Sequence, residues 1–169
     1  MVSLQSGACL IRTTKAGDGA SLWQLASDSG RLDVNSAYCY IMLCEYFSDT
    51  CLIAEIQGEK AGFVTAFLHP SHPEVLFIWQ IAVSAAHRGK GIAEQLLTKL
   101  MESSRCRQVR FIETTISRSN TASHRLFDKF AKSMGAAKVI TEGFAPQLFP
   151  GAGHEEEPLV RIGPITHRQ

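Results

Sequence analysis

The spacing of apolar residues changes along the chain, and the changes separate helices from strands. Ala8 to Arg12 is a short apolar run that reads as an opening strand. Between Ala20 and Asp28 the apolar residues Leu22, Trp23, Leu25 and Ala26 predict a helix, with Asp18 placed to cap it. Asn35 or Ser36 can cap a second helix reaching about Tyr46, which carries Tyr38, Tyr40, Ile41, Leu43 and Cys44. The period then drops. Cys51 to Ile56 and Ala61 to Leu68 predict two strands, and Gln57-Gly58-Glu59-Lys60 between them is a hairpin signature. His69 to Glu74, with two prolines, predicts a loop. Val75 to Val83 is too apolar to have a solvated face, so it predicts a central strand.

In the second half, Ile92, Leu96, Leu97, Leu100 and Met101 form an apolar stripe at helical spacing. Val109 to Ile116 predicts a strand. Ser119 or Asn120 can cap a further helix with Ala122, Leu126, Phe127, Phe130 and Met134, closed by Gly135. Ala137 to Thr141 predicts a strand, Glu142 to Pro158 a loop, and Leu159 to Ile162 a last strand. The order β-α-α-β-β-β-α-β-α-β-β predicts a mixed α/β fold, antiparallel in its first half, with one crossover helix after the central strand. The 169 residues fit one domain over 1–169, with flexible ends at about 1–6 and 164–169.

The junction between the central strand and the next helix carries chemistry. Arg88-Gly89-Lys90-Gly91-Ile92-Ala93 is a glycine-rich turn leading into a helix start. Backbone N–H groups left unpaired there, the positive end of the helix dipole and two cations together suit a phosphate or pyrophosphate. A dinucleotide fingerprint fits poorly, because Glu94 stands where its third small residue belongs and antiparallel strands come first. A nucleoside-triphosphate loop fails, with Ser84 in place of its first glycine and no Lys-Ser/Thr pair.

Net charge changes the picture only by exclusion. At +1 it gives no support to a nucleic-acid or anionic-membrane partner. The five cysteines include no C-x-x-C pair, and Met1 to Gln5 shows no signal peptide, so the expectation is a reduced, cytoplasmic chain. His69 and His72 have no cysteine or carboxylate pattern around them that would argue for metal, and none is expected.

Arg88, Gly91 and Ala93 in an R-x-x-G-x-A turn between strand and helix resemble the acetyl-CoA loop of the GCN5-related N-acetyltransferase superfamily. Asn120-Thr121-Ala122, then Phe127 and Gly135, resemble the same superfamily's later motif. The resemblance covers about Ala8 to Ile162. It implies that superfamily's fold, a mixed, mostly antiparallel sheet flanked by helices. It also implies acetyl-CoA as cosubstrate, with Ile81, Ala82, Val83, Arg88 to Ala93, Asn120 and Phe127 along the cofactor. Asn120 would touch the pantetheine arm, and the backbone N–H of Ile81 or Val83 would polarise the thioester.

Leu32-Asp33-Val34-Asn35-Ser36-Ala37-Tyr38-Cys39-Tyr40, with Phe47, Thr50-Cys51 and Trp79-Gln80-Ile81-Ala82-Val83, resembles the branch that acetylates L-2,4-diaminobutyrate on its 4-amine in ectoine synthesis. That resemblance implies direct transfer in a ternary complex and a homodimer. The residue types suit such a substrate on their own account. Two cationic amines and a carboxylate call for carboxylates, hydroxyls and a donor. Asp33, Asn35, Tyr38 and Tyr40 cluster at the second helix, Trp79 could add an aromatic wall, and His154 could reach the cleft. Glu113, a carboxylate in an apolar strand, must be paired or functional. It and a water chain ending on Asp33 are the two candidate bases. Tyr38 and Tyr40 are two apart and cannot share one helix face. Many superfamily members carry a tyrosine acid where this chain has Phe127, so either Tyr38 serves as acid or the thiolate leaves unassisted. Other small amines, such as a polyamine or lysine, a protein N-terminus, and a non-catalytic acyl-CoA-binding role are the alternative readings.

Overall fold

The computed structural model describes residues 8–151 and 153–167; the expectation for residues 1–6, and that for 168 and 169, lies outside them. The elements follow the predicted order: β1 (Cys9–Thr13), α1 (Gly19–Ser29), α2 (Ala37–Tyr46), β2 (Leu52–Ile56), β3 (Glu59–His69), β4 (His72–Val83), α3 (Ile92–Met101), β5 (Phe111–Thr115), α4 (Thr121–Ser133), β6 (Ala137–Phe144) and β7 (Glu157–Gly163). The strands make one mixed sheet in the order β1-β2-β3-β4-β5-β7-β6.

The chain forms two compact units. Of the described residues, one unit comprises those up to Thr65 together with Gln80–Leu100; the other comprises Ala66–Trp79 with those from Met101 on. In the first, β1 and β2 are antiparallel, with Ile11 opposite Ala54, and β2 and β3 are antiparallel, with a bulge at Ala54/Glu55. The β2–β3 turn is the two-residue kind that the glycine announced, with Gln57 at φ 52° and Gly58 at φ 84°. Leu22, Ala26, Tyr40, Ile53, Phe63, Leu96 and Leu97 are buried there. Gly30 closes α1 at φ 63°, a left-handed conformation natural to glycine.

In the second unit, β4 runs parallel to β5 through Val75 to Phe77 opposite Phe111 to Glu113. β7 pairs antiparallel with both β5 and β6. Its core includes Leu76, Ile112, Phe127, Phe130, Val160 and Ile162.

Four expectations are corrected. Asp18 does not cap α1 with its side chain. Its carboxylate instead accepts from the Arg12 guanidinium at 2.8 Å twice and from the Lys15 N–H at 2.9 Å, stronger claims than a cap could make. The loop drawn over His69 to Glu74 shrinks, because β3 and β4 extend to His69 and from His72, leaving a tight Pro70-Ser71 turn. β6 continues past Thr141 to Phe144, since β7 starts early enough to pair Glu157 with Phe144. The strand over Val109 to Ile116 is trimmed to Phe111–Thr115.

Candidate active site

The cation-rich turn is built as a cradle. After β4, Ser84 Oγ lies 2.9 Å from His87 Nδ1, fixing the short helical turn that precedes Arg88. Gly89 and Gly91 sit at φ 75° and 73°, where a side chain would be strained. The first in-helix bond of α3 runs from the Gln95 N–H to the Gly91 carbonyl at 3.0 Å. The first turn of a helix has N–H groups that its own carbonyls do not reach. Arg88 and Lys90 are exposed beside them, and Arg88 Nε donates back to the Val83 carbonyl at 3.3 Å. Two left-handed glycines, two cations and a helix start fit the pyrophosphate of a coenzyme A.

The end of β4 offers donors of its own. Ser84 gives its N–H to the Ala61 carbonyl of β3 at 2.8 Å. Along an extended strand successive N–H groups alternate sides, so those of Val83 and Ile81 point away from β3. The β4–β5 ladder stops at Phe77, so those two N–H groups lie beyond it. β3 lies close here: a side chain on Gly62 would come within 2.8 Å of the Ala82 carbonyl.

The amine-side residues divide as the two-residue spacing required. Tyr40 is fully buried, and its hydroxyl donates to Gln80 Oε1 at 2.9 Å. Burial pushes its phenol up from the ordinary value, against the pull of hydrogen bonds from Asn35. Gln80 Nε2 in turn donates to the Asp33 carbonyl at 2.8 Å, and Asn35 Nδ2 reaches the same carbonyl at 3.4 Å. Asp33, Asn35 and Tyr40 are thereby brought together. Tyr38, 76% exposed, stands on another face of α2, whose start Ser36 caps by accepting from the Cys39 N–H at 3.3 Å. Trp79 is partly exposed.

In the second unit, Glu113 Oε1 is 3.0 Å from Arg161 Nη1, directly across the β5–β7 ladder. The Arg161 guanidinium also lies over the Phe111 ring at 4.1 Å. Glu113 is therefore paired, the first of the two conditions its position set. Asn120 caps α4, its Oδ1 accepting from the Ser123 N–H at 3.1 Å. Phe127 is 1% exposed and belongs to the core. His154 stacks on Phe149 with ring centres 3.6 Å apart.

Gln80 and Arg161 were not singled out from the sequence. A glutamine inside an otherwise apolar strand was the available signal for Gln80, since a buried amide must find partners. Nothing local marks Arg161, whose partner is 48 residues away.

The sequence profile of the acetyltransferase (GNAT) family matches residues 20–131, and the chain belongs to that family. The L-2,4-diaminobutyric acid acetyltransferase of Shouchella clausii (strain KSM-K16) is 45% identical over 164 residues, which cover 97% of this chain and 92% of the relative. Its namesake in Marinococcus halophilus is 46% identical over 149 residues, 88% of this chain and 86% of the relative. Diaminobutyrate acetyltransferase EctA from Paenibacillus lautus, solved in complex with its substrate L-2,4-diaminobutyric acid and coenzyme A, superimposes with a TM-score of 0.92. It is 47% identical, and the match covers 96% of this chain and 99% of that one. Within the family, this chain groups with the diaminobutyric acid acetyltransferases.

Proposed function

We propose that the protein transfers acetyl from acetyl-CoA to the 4-amino group of L-2,4-diaminobutyrate, giving N4-acetyl-L-2,4-diaminobutyrate for ectoine synthesis. The observation that carries this reading is the Asp33–Gln80–Tyr40 network, which ties a carboxylate-bearing segment to the strand end that offers the Ile81 and Val83 N–H groups. Likeness to relatives that carry this activity in their names supports it.

Acetyl-CoA, when bound, supplies an acetyl group already activated as a thioester. The turn from Arg88 to Ala93 holds the pyrophosphate through backbone N–H groups and two cations. Asn120, its Oδ1 spent on the α4 cap, offers its amide nitrogen to the pantetheine arm, and Phe127 backs that arm from the core. The N–H of Ile81 or Val83 would polarise the thioester oxygen, with Ala82 between them on the strand edge. Donors fixed in advance at the site of developing charge lower the barrier more than mobile water does.

On the amine side, Asp33 holds an ammonium, Asn35 and Tyr40 fix Asp33, and Trp79 and Tyr38 face the substrate with aromatic surface. His154, stacked on Phe149, is a further candidate for contact with the substrate. An amine with a pKa near 10.4 must give up a proton at about pH 7, a cost of roughly 5 kcal/mol. Glu113 is already engaged by Arg161, so the proton leaves through water to Asp33. Tyr38, whose ring is exposed, supplies a proton to the departing thiolate, and Tyr38→Phe lowers turnover.

The protein works in the cytoplasm as a homodimer. Among the described residues no helix is long and apolar enough to cross a membrane. Val139, Ile140 and Phe144 on the outer strand β6 are each about half exposed, which supports a second copy against that strand.

Product analysis tests the reading. Proton NMR of the product from L-2,4-diaminobutyrate and acetyl-CoA is expected to place the acetyl group on the 4-nitrogen. Acetylation of the 2-nitrogen, or no acetylated product, would overturn it.

A further inference from the structure

We propose that Gln80 is a positioning residue that locks the Asp33–Asn35 segment to β4, so that the amine and the acetyl group are held in one frame. The proposal rests on the acetyltransferase reading above. Gln80 is 6% exposed, and both ends of its amide are used. Its oxygen accepts from the Tyr40 hydroxyl at 2.9 Å, and its nitrogen donates to the Asp33 carbonyl at 2.8 Å. A carbonyl can only accept. Tyr40, buried and protonated, donates. The group between them must therefore accept at one end and donate at the other, which a primary amide does and a carboxylate or thioether does not. The Thr65 hydroxyl donates to the Gln80 main-chain carbonyl at 3.4 Å, holding the backbone from the β3 side. Gln80 immediately precedes Ile81, whose N–H points away from β3. One residue thus connects the amine-binding segment to the donors for the thioester.

The test compares wild type, Gln80→Met, Tyr40→Phe and the double variant. Methionine keeps the length and bulk of the side chain and removes both hydrogen bonds. Loss of one or two buried hydrogen bonds predicts a rise of about five- to thirtyfold in KM for diaminobutyrate in Gln80→Met. KM and Kd for acetyl-CoA stay within about twofold, because no contact to the phosphate cradle is changed. Backbone amide exchange in residues 31–36 quickens by at least about tenfold, while exchange in α3 is unchanged. The Gln80 and Tyr40 effects are less than additive in the double variant, since the two side chains share one hydrogen bond, while Tyr40→Phe also gives up its bonds from Asn35. Unchanged exchange in 31–36, or an equal rise in both Michaelis constants with faster exchange throughout, would overturn the positioning role. Wild-type protein inert toward diaminobutyrate would instead sink the substrate reading, while the exchange comparison still decides whether Gln80 locks the segment.

Discussion

Glu113 and Arg161 face each other across the β5–β7 ladder, 3.0 Å apart, and Arg161 also covers the Phe111 ring at 4.1 Å. The carboxylate side chain is 13% exposed and the guanidinium 43%. A pair this wet contributes at most about 1 kcal/mol. Glu113→Gln is expected to lower the melting temperature by about 2–4 °C and to leave kcat within about threefold of wild type. Thermal melts and initial rates check both. A fall in kcat beyond about a hundredfold would return Glu113 to the role of base.

Asp18 gives the fold an acid-sensitive joint. The Arg12 guanidinium, and to a lesser extent the Lys15 N–H, hold its carboxyl below the usual carboxylate range. A depressed folded value means that this stabilisation is present above the ordinary carboxylate pKa and is lost as pH falls through the folded value. Asp18→Asn is therefore expected to destabilise the protein by about 2 kcal/mol at pH 7. The gap between variant and wild type narrows as pH drops below about 4. Urea unfolding at pH 7, 5 and 3.5 measures it, and a gap independent of pH would refute it.

Gly91 needs its left-handed backbone, at φ 73°. Alanine there meets only Gln95 Nε2, at 4.0 Å, but is strained by about 1–2 kcal/mol, or moves the turn. Gly91→Ala is expected to raise KM for acetyl-CoA about tenfold, with KM for the amine changed less than twofold. Steady-state kinetics with each substrate varied in turn distinguishes this from general loss of fold, which would shift both.

Phe127 lies where many family members carry a tyrosine, and it is 1% exposed. A hydroxyl added there enters packed core and costs about 1–3 kcal/mol if it finds no partner. Phe127→Tyr is expected to melt at a lower temperature and to show no gain in kcat. A clear gain in kcat would mean that the tyrosine acid can be restored by one oxygen.

Local features were legible in the chain, and distant ones were not. The glycines at 89 and 91 and the Gln57-Gly58 turn declare themselves because a left-handed backbone is a property of single residues. Helices α3 and α4 follow from apolar stripes within one segment. Tyr40, Gln80 and Asp33 meet over separations of 40 and 47 residues, and the residue types alone do not specify such contacts. The sequence marked Tyr40 and Asp33 by their chemistry and passed over the amide between them. Asp18 has a cap-like place in the chain, but its carboxylate goes to Arg12, six residues earlier on β1, because a charged donor outcompetes a cap.

The choice of amine substrate is what separates this enzyme from its family's other members. Initial rates of CoA release, with L-2,4-diaminobutyrate, ornithine, lysine and spermidine each at equal concentration, test it most directly. The kcat/KM for diaminobutyrate is expected to exceed the others by at least about a hundredfold, because a site that hydrogen-bonds the charged groups of one substrate rejects analogues that lack or misplace them. Preference for spermidine, or CoA binding without turnover on any of the four, would contradict it.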